Sequence, residues 1–476
     1  MKKLVCFILC FVLGVTSVYA DFTPQIDITN GEKMYDFYNT LLRFTENNYR
    51  FGVSREELLE AAVKELLKNH PELFDELAKG TYSALDENSR YLSMSEFDTR
   101  FEEVSGQFEG VGINVSEFEG VTIVGAPIKG SPAFLAGIAA GDVIESVDVE
   151  SIYGYVLDKA ISMIKGEKGT SVELGIKRGN EQLKFVIVRD VIKINPVTYY
   201  KLDDGKTAYV NISTFNANTT VYLDEVLFNL NKEGVETIIL DLRYNLGGLL
   251  SEAVKTASYF LPENSLVVTE DYSNPEKNFV YKSFDMGMKF NAVVLVNEYS
   301  ASASEIVAGA IKDNKQGVLV GTTTFGKGTV QQSVHMKNGG AMWLTVAKYL
   351  TPSGAYIHKV GIEPDYYVAN KKRLIDTSSF EAIKGERVLS VGNKGLDVLA
   401  VEQRLEAMGY PVEKVDEEFD NQTEIAVKRF QSDNSLFSYG VADLTTQIKI
   451  MDVCVETEVT FDGQLEKAKE IALGIK

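Results

Sequence analysis

Two short segments contain residue types that together could carry out nucleophilic catalysis. Ser302 follows an apolar run at residues 293–296, and Lys327 lies between two glycines twenty-five positions later, with Gln331 four positions further on. The apolar run predicts a buried strand, which places Ser302 at a strand-to-helix turn where its hydroxyl can project from a sheet edge. A serine there becomes a nucleophile when a base removes its proton, and the lysine amine is a candidate for that base.

A lysine acts as a base only when it is neutral. The ordinary pKa of its amine is about 10.4, so Lys327 needs burial to lower that value. Gly326 and Gly328 allow close approach of the backbone, and the neighbouring apolar or small residues supply little negative charge. Gln331 could orient the amine by hydrogen bonding without charging it. The segment therefore predicts a buried lysine with a lowered pKa.

Other interpretations of these residues remain open at the level of sequence. Ser302 with Glu305 also matches a helix capping box, and Lys327 fits a loop between two turn glycines. A Ser-His-Asp hydrolase would instead use His335 or His358, although nothing around them resembles a base-and-orienter pair.

A glycine pair supplies backbone amides in the same predicted sheet. Gly247 and Gly248 come shortly after the apolar strand at residues 236–240 and precede an apolar helix. Amides at such a turn can stabilise negative charge on a substrate oxygen, where one donor is worth about 3 kcal/mol. We expect Gly247, Gly248 and the amide of Ala303 to form an oxyanion hole. Three polar residues are expected to hold the loop by hydrogen bonds and charge pairing: Asp241, Arg243 and Asn245.

The surrounding elements fall into three groups. Strands and helices alternate from about residue 195 to 376, which predicts an α/β core. Residues 34–101 predict a helical segment for packing or dimer contact. Residues 106–190 contain an ordered series of glycine turns and resemble a bacterial-type PDZ domain, which binds extended peptide ends by strand addition. Its expected carboxylate-binding loop contains Phe108, Gly110, Val111, Gly112 and Ile113.

The order of these motifs resembles the carboxyl-terminal processing (tail-specific) proteases across residues 34–370. The serine and lysine segments are followed by Thr351-Pro352-Ser353-Gly354 and by a Gly-Ile-Glu-Pro-Asp run. The resemblance implies a crotonase-like α/β Ser-Lys peptidase core with an inserted PDZ domain, β-rich with two helices. It also implies that Ser302 is the nucleophile, that Lys327 is the general base and that Gln331 positions the lysine. Members of the family form dimers or higher oligomers in some cases, so a homodimer is an expected assembly.

The end of the chain is not part of that core. Residues 386–450 are similar to a small three-helix peptidoglycan-binding domain, which makes peptidoglycan an expected partner. The tail at residues 451–476 predicts a helix that packs on the core or on a second subunit. The expected boundaries before it are 1–20 for a signal peptide, 21–105 for the helical segment, 106–190 for the PDZ domain and 191–380 for the peptidase core.

The beginning of the chain is typical of a secretory signal peptide. Lys2 and Lys3 precede an apolar run, and cleavage is expected after Ala20. The protein is therefore expected to be exported, and extracytoplasmic or cell-wall associated after cleavage, with retention by an uncleaved signal anchor as the alternative. Two of the three cysteines lie in that signal, so no intrachain disulfide and no cysteine-based metal site are expected. No cofactor is expected either.

Charge and motifs together favour one function. The 476-residue chain has 48 basic and 68 acidic residues and a net charge of −20, which argues against nucleic acid or an anionic membrane as the main partner. The leading prediction is a secreted serine endopeptidase at the bacterial cell envelope, with protein or peptide substrates recognised through free, unstructured or apolar C-termini. The alternative is a catalytically inactive PDZ and peptidoglycan-binding scaffold.

Overall fold

The computed structural model describes residues 30–118, 120–179, 181–412 and 414–474. These residues divide into two compact units, one ending at Ala84 and one beginning at Leu85. The expected signal peptide lies outside the described residues. Among the described helices, none combines the length and the apolar character needed to cross a membrane.

The first unit is helical, as its apolar spacing predicts. A capping box of Ser54 and Glu57 begins the second helix. The expected helical segment reached residue 105, but residues 85–105 belong to the second unit because they supply a strand and a helix to it. The helices are α1 (Gly31–Asn48), α2 (Arg55–Asn69) and α3 (Phe74–Tyr82).

The β-rich segment predicted to be a PDZ domain follows one strand and one helix of the second unit. Its main sheet has the order β3-β4-β5-β7-β8, β6 pairs with β5, and β2 pairs with β9. The elements are β1 (Arg90–Leu92), α4 (Met94–Ser105), β2 (Gln107–Gly110), β3 (Ile113–Phe118), β4 (Val121–Pro127), α5 (Pro132–Ala136), β5 (Val143–Val147), β6 (Glu150–Ser151), α6 (Leu157–Ile164), β7 (Ser171–Arg178), β8 (Glu181–Val188) and β9 (Asp190–Lys193).

Two further sheets build the α/β part of the second unit. The larger has the order β10-β11-β12-β15-β16-β19 and is parallel apart from β10. The smaller has the order β1-β18-β13-β14, with β17 paired to β18. The elements are β10 (Val197–Lys201), β11 (Thr207–Ile212), α7 (Thr219–Lys232), β12 (Thr237–Asp241), α8 (Leu250–Ser258), β13 (Leu266–Tyr272), β14 (Phe279–Lys282), β15 (Asn291–Val296), α9 (Ala303–Asp313), β16 (Gly317–Gly321), β17 (Thr329–His335), β18 (Ala341–Leu350) and β19 (Tyr366–Tyr367).

Both faces of the larger sheet are buried, which explains why its central strands are almost wholly apolar. On one face, Ile238 and Val294 pack with residues of α7, α8 and α9 in the main core. The opposite face carries Ile239 and Leu295, which belong to a second cluster. A parallel sheet is stable when secondary structure packs on both of its faces, so a further element of the chain must cover this second face.

The C-terminal region supplies that second layer. Three helices pack around their own apolar core, and the strands on either side of them pair antiparallel, Lys371 opposite Phe461 and Leu374 opposite Glu458. The three-helix domain is therefore inserted into a β-ribbon. The elements are β20 (Lys371–Leu374), α10 (Leu396–Ala407), α11 (Asn421–Asp433), α12 (Leu444–Glu456), β21 (Glu458–Phe461) and α13 (Gly463–Ala472).

The last helix, α13, covers the second face of the larger sheet. Ala468 is completely buried and belongs to the same cluster as Ile239, Val293, Leu295 and Val320. Sequence left open whether the tail packs on the core or on a second subunit, and in this structure it packs on the core.

Removing this layer is expected to destabilise the sheet. Ala468→Glu would place a carboxylate among buried aliphatic side chains without a partner, so we expect a loss of about 3 kcal/mol or more in the free energy of unfolding. Urea titration followed by fluorescence measures this, because the chain's single tryptophan, Trp343, lies in β18 of the same unit. Glu470→Gln, at a half-exposed position of the same helix, should change stability by about 0.5 kcal/mol or less. An unchanged midpoint for Ala468→Glu would show that α13 does not stabilise the core.

Candidate active site

Ser302 lies at the turn between β15 and α9, where the sequence predicts it. Its backbone has φ +55° and ψ −112°, a conformation that costs an L-residue about 1–3 kcal/mol and persists only when its surroundings enforce it. Its amide donates to the Glu305 carboxylate at 2.8 Å, and its carbonyl accepts from the Tyr349 hydroxyl at 3.3 Å. The reach of Glu305 back to this amide is also a capping contact, so one interaction caps the helix and holds the serine turn.

Glu305 is completely buried and joins the serine turn to the lysine loop. Its carboxylate accepts four hydrogen bonds of 2.6 to 2.9 Å, from the amides of Ser302, Gly326 and Lys327 and from the hydroxyl of Thr324. The Tyr349 hydroxyl adds a longer one at 3.4 Å. Burial and the charge of Glu305 raise the pKa of Tyr349, which keeps this hydroxyl a donor. A buried carboxylate is stable here because both of its oxygens have donors.

Lys327 lies in the loop between β16 and β17, and this loop packs closely against neighbouring backbone. A Cβ on Gly326, which has φ +86°, would lie 2.8 Å from a backbone nitrogen of the next loop. Burial lowers the pKa of the Lys327 amine, and the charges of Arg100 and Arg90 lower it further, whereas Glu305 opposes them. The net effect favours the neutral amine that a base requires.

One cavity of about 350 Å³ brings Ser302 and Lys327 together with Gln331. Within the described residues, no hydrogen bond joins the lysine amine to the serine hydroxyl. The Gln331 amide nitrogen donates to the hydroxyls of Thr329 at 2.9 Å and Thr345 at 3.2 Å. Among the described residues no hydrogen bond joins Gln331 to the lysine amine, so the expected positioning of the lysine by Gln331 stays a prediction.

The two glycines differ: the amide of Gly247 is already hydrogen-bonded, whereas that of Gly248 is available. The amide of Gly247 already donates to Asn245 Oδ1 at 2.9 Å, so this glycine is not the oxyanion donor that we expected. A Cβ on Gly247 would lie 2.8 Å from Ser302 Cβ, which shows how closely the two loops approach. Gly248 and Ala303 both line the cavity, and in the described part of the chain their amides donate to no protein acceptor. These two amides are the available oxyanion donors.

The polar residues before the glycine pair hold the loop, as expected. Asn245 is completely buried, and its backbone oxygen accepts from the amide of Ala301 at 3.0 Å and from the Ser304 hydroxyl at 2.8 Å. Arg243 forms an ion pair with Asp241 at 2.6 Å. None of the three polar residues lines the cavity, so their contribution is to fix the glycine turn against the serine turn.

The same arginine connects this loop to the end of the chain. Arg243 Nη1 donates to Asp462 at 2.6 Å and to the side-chain oxygen of Gln464 at 3.1 Å. Burial opposes the charge of Arg243, but its hydrogen bonds to Asp241 and Asp462 outweigh that effect and raise its pKa. The tail thus completes the buried charge network beside the glycine loop.

The histidines considered from the sequence lie elsewhere. His335 stacks on Phe97 with ring centroids 4.8 Å apart, and His358 lies 3.6 Å from Glu87. Neither lines the cavity that contains Ser302. The geometry therefore favours Lys327 as the base.

A second groove, of about 330 Å³, lies in the β-rich domain at the predicted carboxylate-binding loop. Phe108, Val111, Gly112 and Ile113 line it, together with residues of β3 and α6. The amides of Val111 and Gly112 donate to no backbone acceptor within the described residues, so they are available to a ligand. Gly110 does not line the groove, because it pairs with β9 at the end of β2.

Sequence reasoning missed two residues of the catalytic cavity. Arg90 and Arg100, on β1 and α4, line it beside Lys327. They come from a segment that we interpreted as packing, and no local motif identifies them. Arg90 begins β1 and Arg100 lies in the middle of α4, and only the pairing of β1 with β18 shows that this segment belongs beside the lysine loop.

Comparisons with known proteins identify the three domains. Residues 206–368 match Peptidase family S41, residues 123–178 match a PDZ domain, and residues 394–450 match a putative peptidoglycan binding domain. Family S41 is a family of serine proteases, and its match covers the larger parallel sheet of the α/β part described above.

Full-length relatives narrow the assignment. The carboxy-terminal processing protease CtpA of Bacillus subtilis (strain 168) is 31% identical over 461 residues, covering 97% of this chain and 94% of that protein. A probable CtpA-like serine protease of Staphylococcus haemolyticus (strain JCSC1435) is 36% identical over 385 residues, covering 80% and 76%. Among solved structures, the photosystem II D1 C-terminal processing protease is 29% identical, with a TM-score of 0.41, covering 71% of this chain and 94% of that one. The chain belongs to the family of carboxyl-terminal processing proteases.

The Glu305 contacts predict a large effect from a small substitution. Glu305→Gln keeps the size of the side chain but turns one acceptor into an NH₂ donor that faces amide or hydroxyl donors. We expect kcat/KM on a protein substrate to fall about 100-fold or more, since small displacements of catalytic groups have effects of that size. Circular dichroism would establish that the variant is folded.

Glu298→Gln is the matched control. Its carboxylate also accepts from a threonine hydroxyl, Thr322 at 2.8 Å, but it is exposed. We expect little change in kcat/KM. Wild-type activity in Glu305→Gln would show that the buried carboxylate does not set the geometry of the site.

Proposed function

We propose that this chain is a serine endopeptidase of the carboxyl-terminal processing type, with Ser302 as nucleophile and Lys327 as general base. One observation carries the proposal. A serine in an enforced, high-energy turn and a lysine with a lowered pKa line the same cavity, and both backbones are held by one buried carboxylate.

The cavity residues suggest the role of each group in the reaction. Ser302 Oγ attacks the substrate carbonyl while Lys327 Nζ accepts its proton, and the amides of Gly248 and Ala303 donate to the developing oxyanion. Lys327 then returns the proton to the leaving amine. Water, deprotonated by the same lysine, hydrolyses the acyl-enzyme and regenerates the serine.

The substrate is a protein or peptide with a free C-terminus. The groove beside Val111 and Gly112 has unpaired amides for a terminal carboxylate and apolar residues, Ile161 and Ile164, for the last side chain. Apolar residues of the catalytic cavity, among them Leu250, Ile306 and Val330, suit an unfolded and mostly apolar segment around the scissile bond.

The protein is proposed to act outside the cytoplasm, at the bacterial cell envelope. The signal-like start of the chain and the match of residues 394–450 to a peptidoglycan binding domain support export and a link to the cell wall. A homodimer is also part of the proposal. Large apolar side chains of α1 are exposed and would be covered in it: Met34, Tyr35, Leu41 and Phe44.

The dyad is tested with the protein from Asp21 onward and an unfolded protein that has an apolar C-terminus. We expect cleavage by the unsubstituted protein and none by Ser302→Ala or Lys327→Ala, since each variant lacks one member of the dyad. His335→Ala is the control and should cleave normally, because it lies outside the cavity. Cleavage by Lys327→Ala at the wild-type rate would refute the lysine base, and binding without cleavage by the unsubstituted protein would favour the inactive scaffold.

The pH profile tests the state of the lysine. A base must be neutral, so kcat/KM should fall on the acid side as pH decreases through the lowered pKa of Lys327. Arg100→Gln removes a positive charge that disfavours protonation, so the pKa of Lys327 should rise and the acid limb should move to higher pH. Lys337→Gln removes the same charge at an exposed position outside the cavity and should leave the limb in place. An unmoved limb in Arg100→Gln would mean that another group titrates.

A further inference from the structure

The catalytic cavity contains two guanidinium groups that the proposed reaction does not use. Arg100 Nη1 donates to Glu103 at 2.6 Å, but in the described chain its Nε has no hydrogen-bond partner and its Nη2 donates to no protein acceptor. The Arg90 side chain makes no hydrogen bond or ion pair to any described residue, although its strand is fixed by pairing with β18. Both groups therefore retain unused donors at the wall of the cavity.

The cavity is electropositive although the chain as a whole has a net charge of −20. Apart from Lys327, whose amine is neutral in the proposed reaction, two guanidinium groups line it, those of Arg90 and Arg100, whereas Glu87 is the acidic residue among its described lining residues. Glu87 is half exposed, and Lys359 lies 3.2 Å from its carboxylate. A partly enclosed site with excess positive charge attracts anions, and guanidinium groups bind carboxylates through short, charge-assisted hydrogen bonds.

We propose that Arg90 and Arg100 form a carboxylate-binding subsite of the catalytic cavity, which selects substrates with a negative charge close to the scissile bond. The proposal rests on the peptidase function and refines its substrate class. The carboxylate can be an Asp or Glu side chain or the α-carboxylate of a short C-terminal segment. A cavity of about 350 Å³ limits it to within about three residues of the bond, at about 3.4 Å per extended residue.

A purely structural role explains less of the geometry. The Arg100 guanidinium lies 5.8 Å from the centre of the Trp343 ring and pairs with Glu103, so part of its contribution is packing. Neither of these contacts involves Arg90, and neither explains why two guanidinium groups line the same cavity. Like charges at a wall cost energy in the empty site, and a bound carboxylate would remove that cost.

The subsite also couples substrate charge to the base. The charges of the two arginines lower the pKa of Lys327, and a carboxylate between them would offset part of that effect. The acid limb of kcat, which reports groups in the enzyme–substrate complex, should therefore lie at higher pH for acidic substrates than for neutral substrates of the same length. A packing role for the arginines would not produce this difference.

The experiment compares peptides that differ in one charge. The peptides share one C-terminal sequence, so that the groove of the β-rich domain contributes equally, and carry Glu or Gln at single positions within three residues of the scissile bond. A second pair ends directly after this window as a free acid or an amide. We expect kcat/KM to favour the carboxylate about tenfold at one or more positions, the equivalent of roughly 1.4 kcal/mol.

Substitution of the arginines tests whether they cause that preference. In the combined Arg90→Gln, Arg100→Gln protein the carboxylate-to-neutral ratio should fall to about one, whereas Lys337→Gln should keep it. Preference for an internal Glu identifies a side chain as the source, and preference for the free acid identifies the α-carboxylate. Equal rates for both members of every pair in the wild type, or a preference for Glu over Gln that persists without the arginines, would refute the subsite. Equal rates for Glu and Gln together with a free-acid preference that persists without the arginines would also refute it, because the groove of the β-rich domain would explain that preference.

A binding measurement separates this proposal from the peptidase function. Trp343 lines the cavity, so its fluorescence can report peptide binding to Ser302→Ala without any cleavage. We expect the Glu peptide to bind more tightly than the Gln peptide, and the arginine substitutions made in Ser302→Ala to abolish the difference. If the wild type cleaves nothing but this difference is seen, the peptidase function fails and the subsite stands. If both peptides bind alike, the subsite fails.

Discussion

The organisation of the site depends on a single buried charge, the carboxylate of Glu305. A fully buried carboxyl group is tolerated only when hydrogen-bond donors surround it, and Glu305 receives them from the serine turn and the lysine loop. The two segments come from different strands of one sheet. Because losing either set of donors would leave the carboxylate unsatisfied, its burial enforces their relative position. The unfavourable backbone of Ser302 is held by the same contacts.

This arrangement creates a conflict at the lysine, and other residues resolve it. A carboxylate near Lys327 favours the charged amine, which is the wrong state for a base. Burial and the two arginines act in the opposite direction, and the pKa of the amine is lowered overall. In the lysine loop, Glu305 accepts hydrogen bonds from the backbone amides of Gly326 and Lys327, and none from the lysine amine is present among the described residues. Glu305 thus fixes the geometry of the site, while burial and the two arginines lower the pKa of the proposed base.

Local patterns predicted the parts of the site that local structure determines. An apolar strand followed by a turn identified Ser302 and the glycine pair, and alternating strands and helices identified the α/β core. Features of the site that depend on contacts between segments distant in sequence could not be predicted. Arg90 lines the cavity because β1 pairs with β18, about 250 positions later, and Arg100 follows on the next helix. The amide of Gly247 is unavailable because it donates to the side-chain oxygen of Asn245. The side-chain nitrogen of Gln331 likewise donates to the hydroxyls of Thr329 and Thr345, and no sequence pattern predicts either contact.

The position of the tail changes how the C-terminal domain should be understood. The three-helix domain is held at both ends by β20 and β21, and the chain then returns to cover the face of the sheet opposite α9. A parallel sheet with one apolar face in water would be unstable, so the last helix belongs to the peptidase core although it is separated from it in sequence. Asp462, at the start of that helix, pairs with Arg243 beside the glycine loop. The core is therefore complete only when the chain has passed through the inserted domain. The segment that covers the sheet, which begins at Asp462, also supplies the ion pair to Arg243 beside the glycine loop.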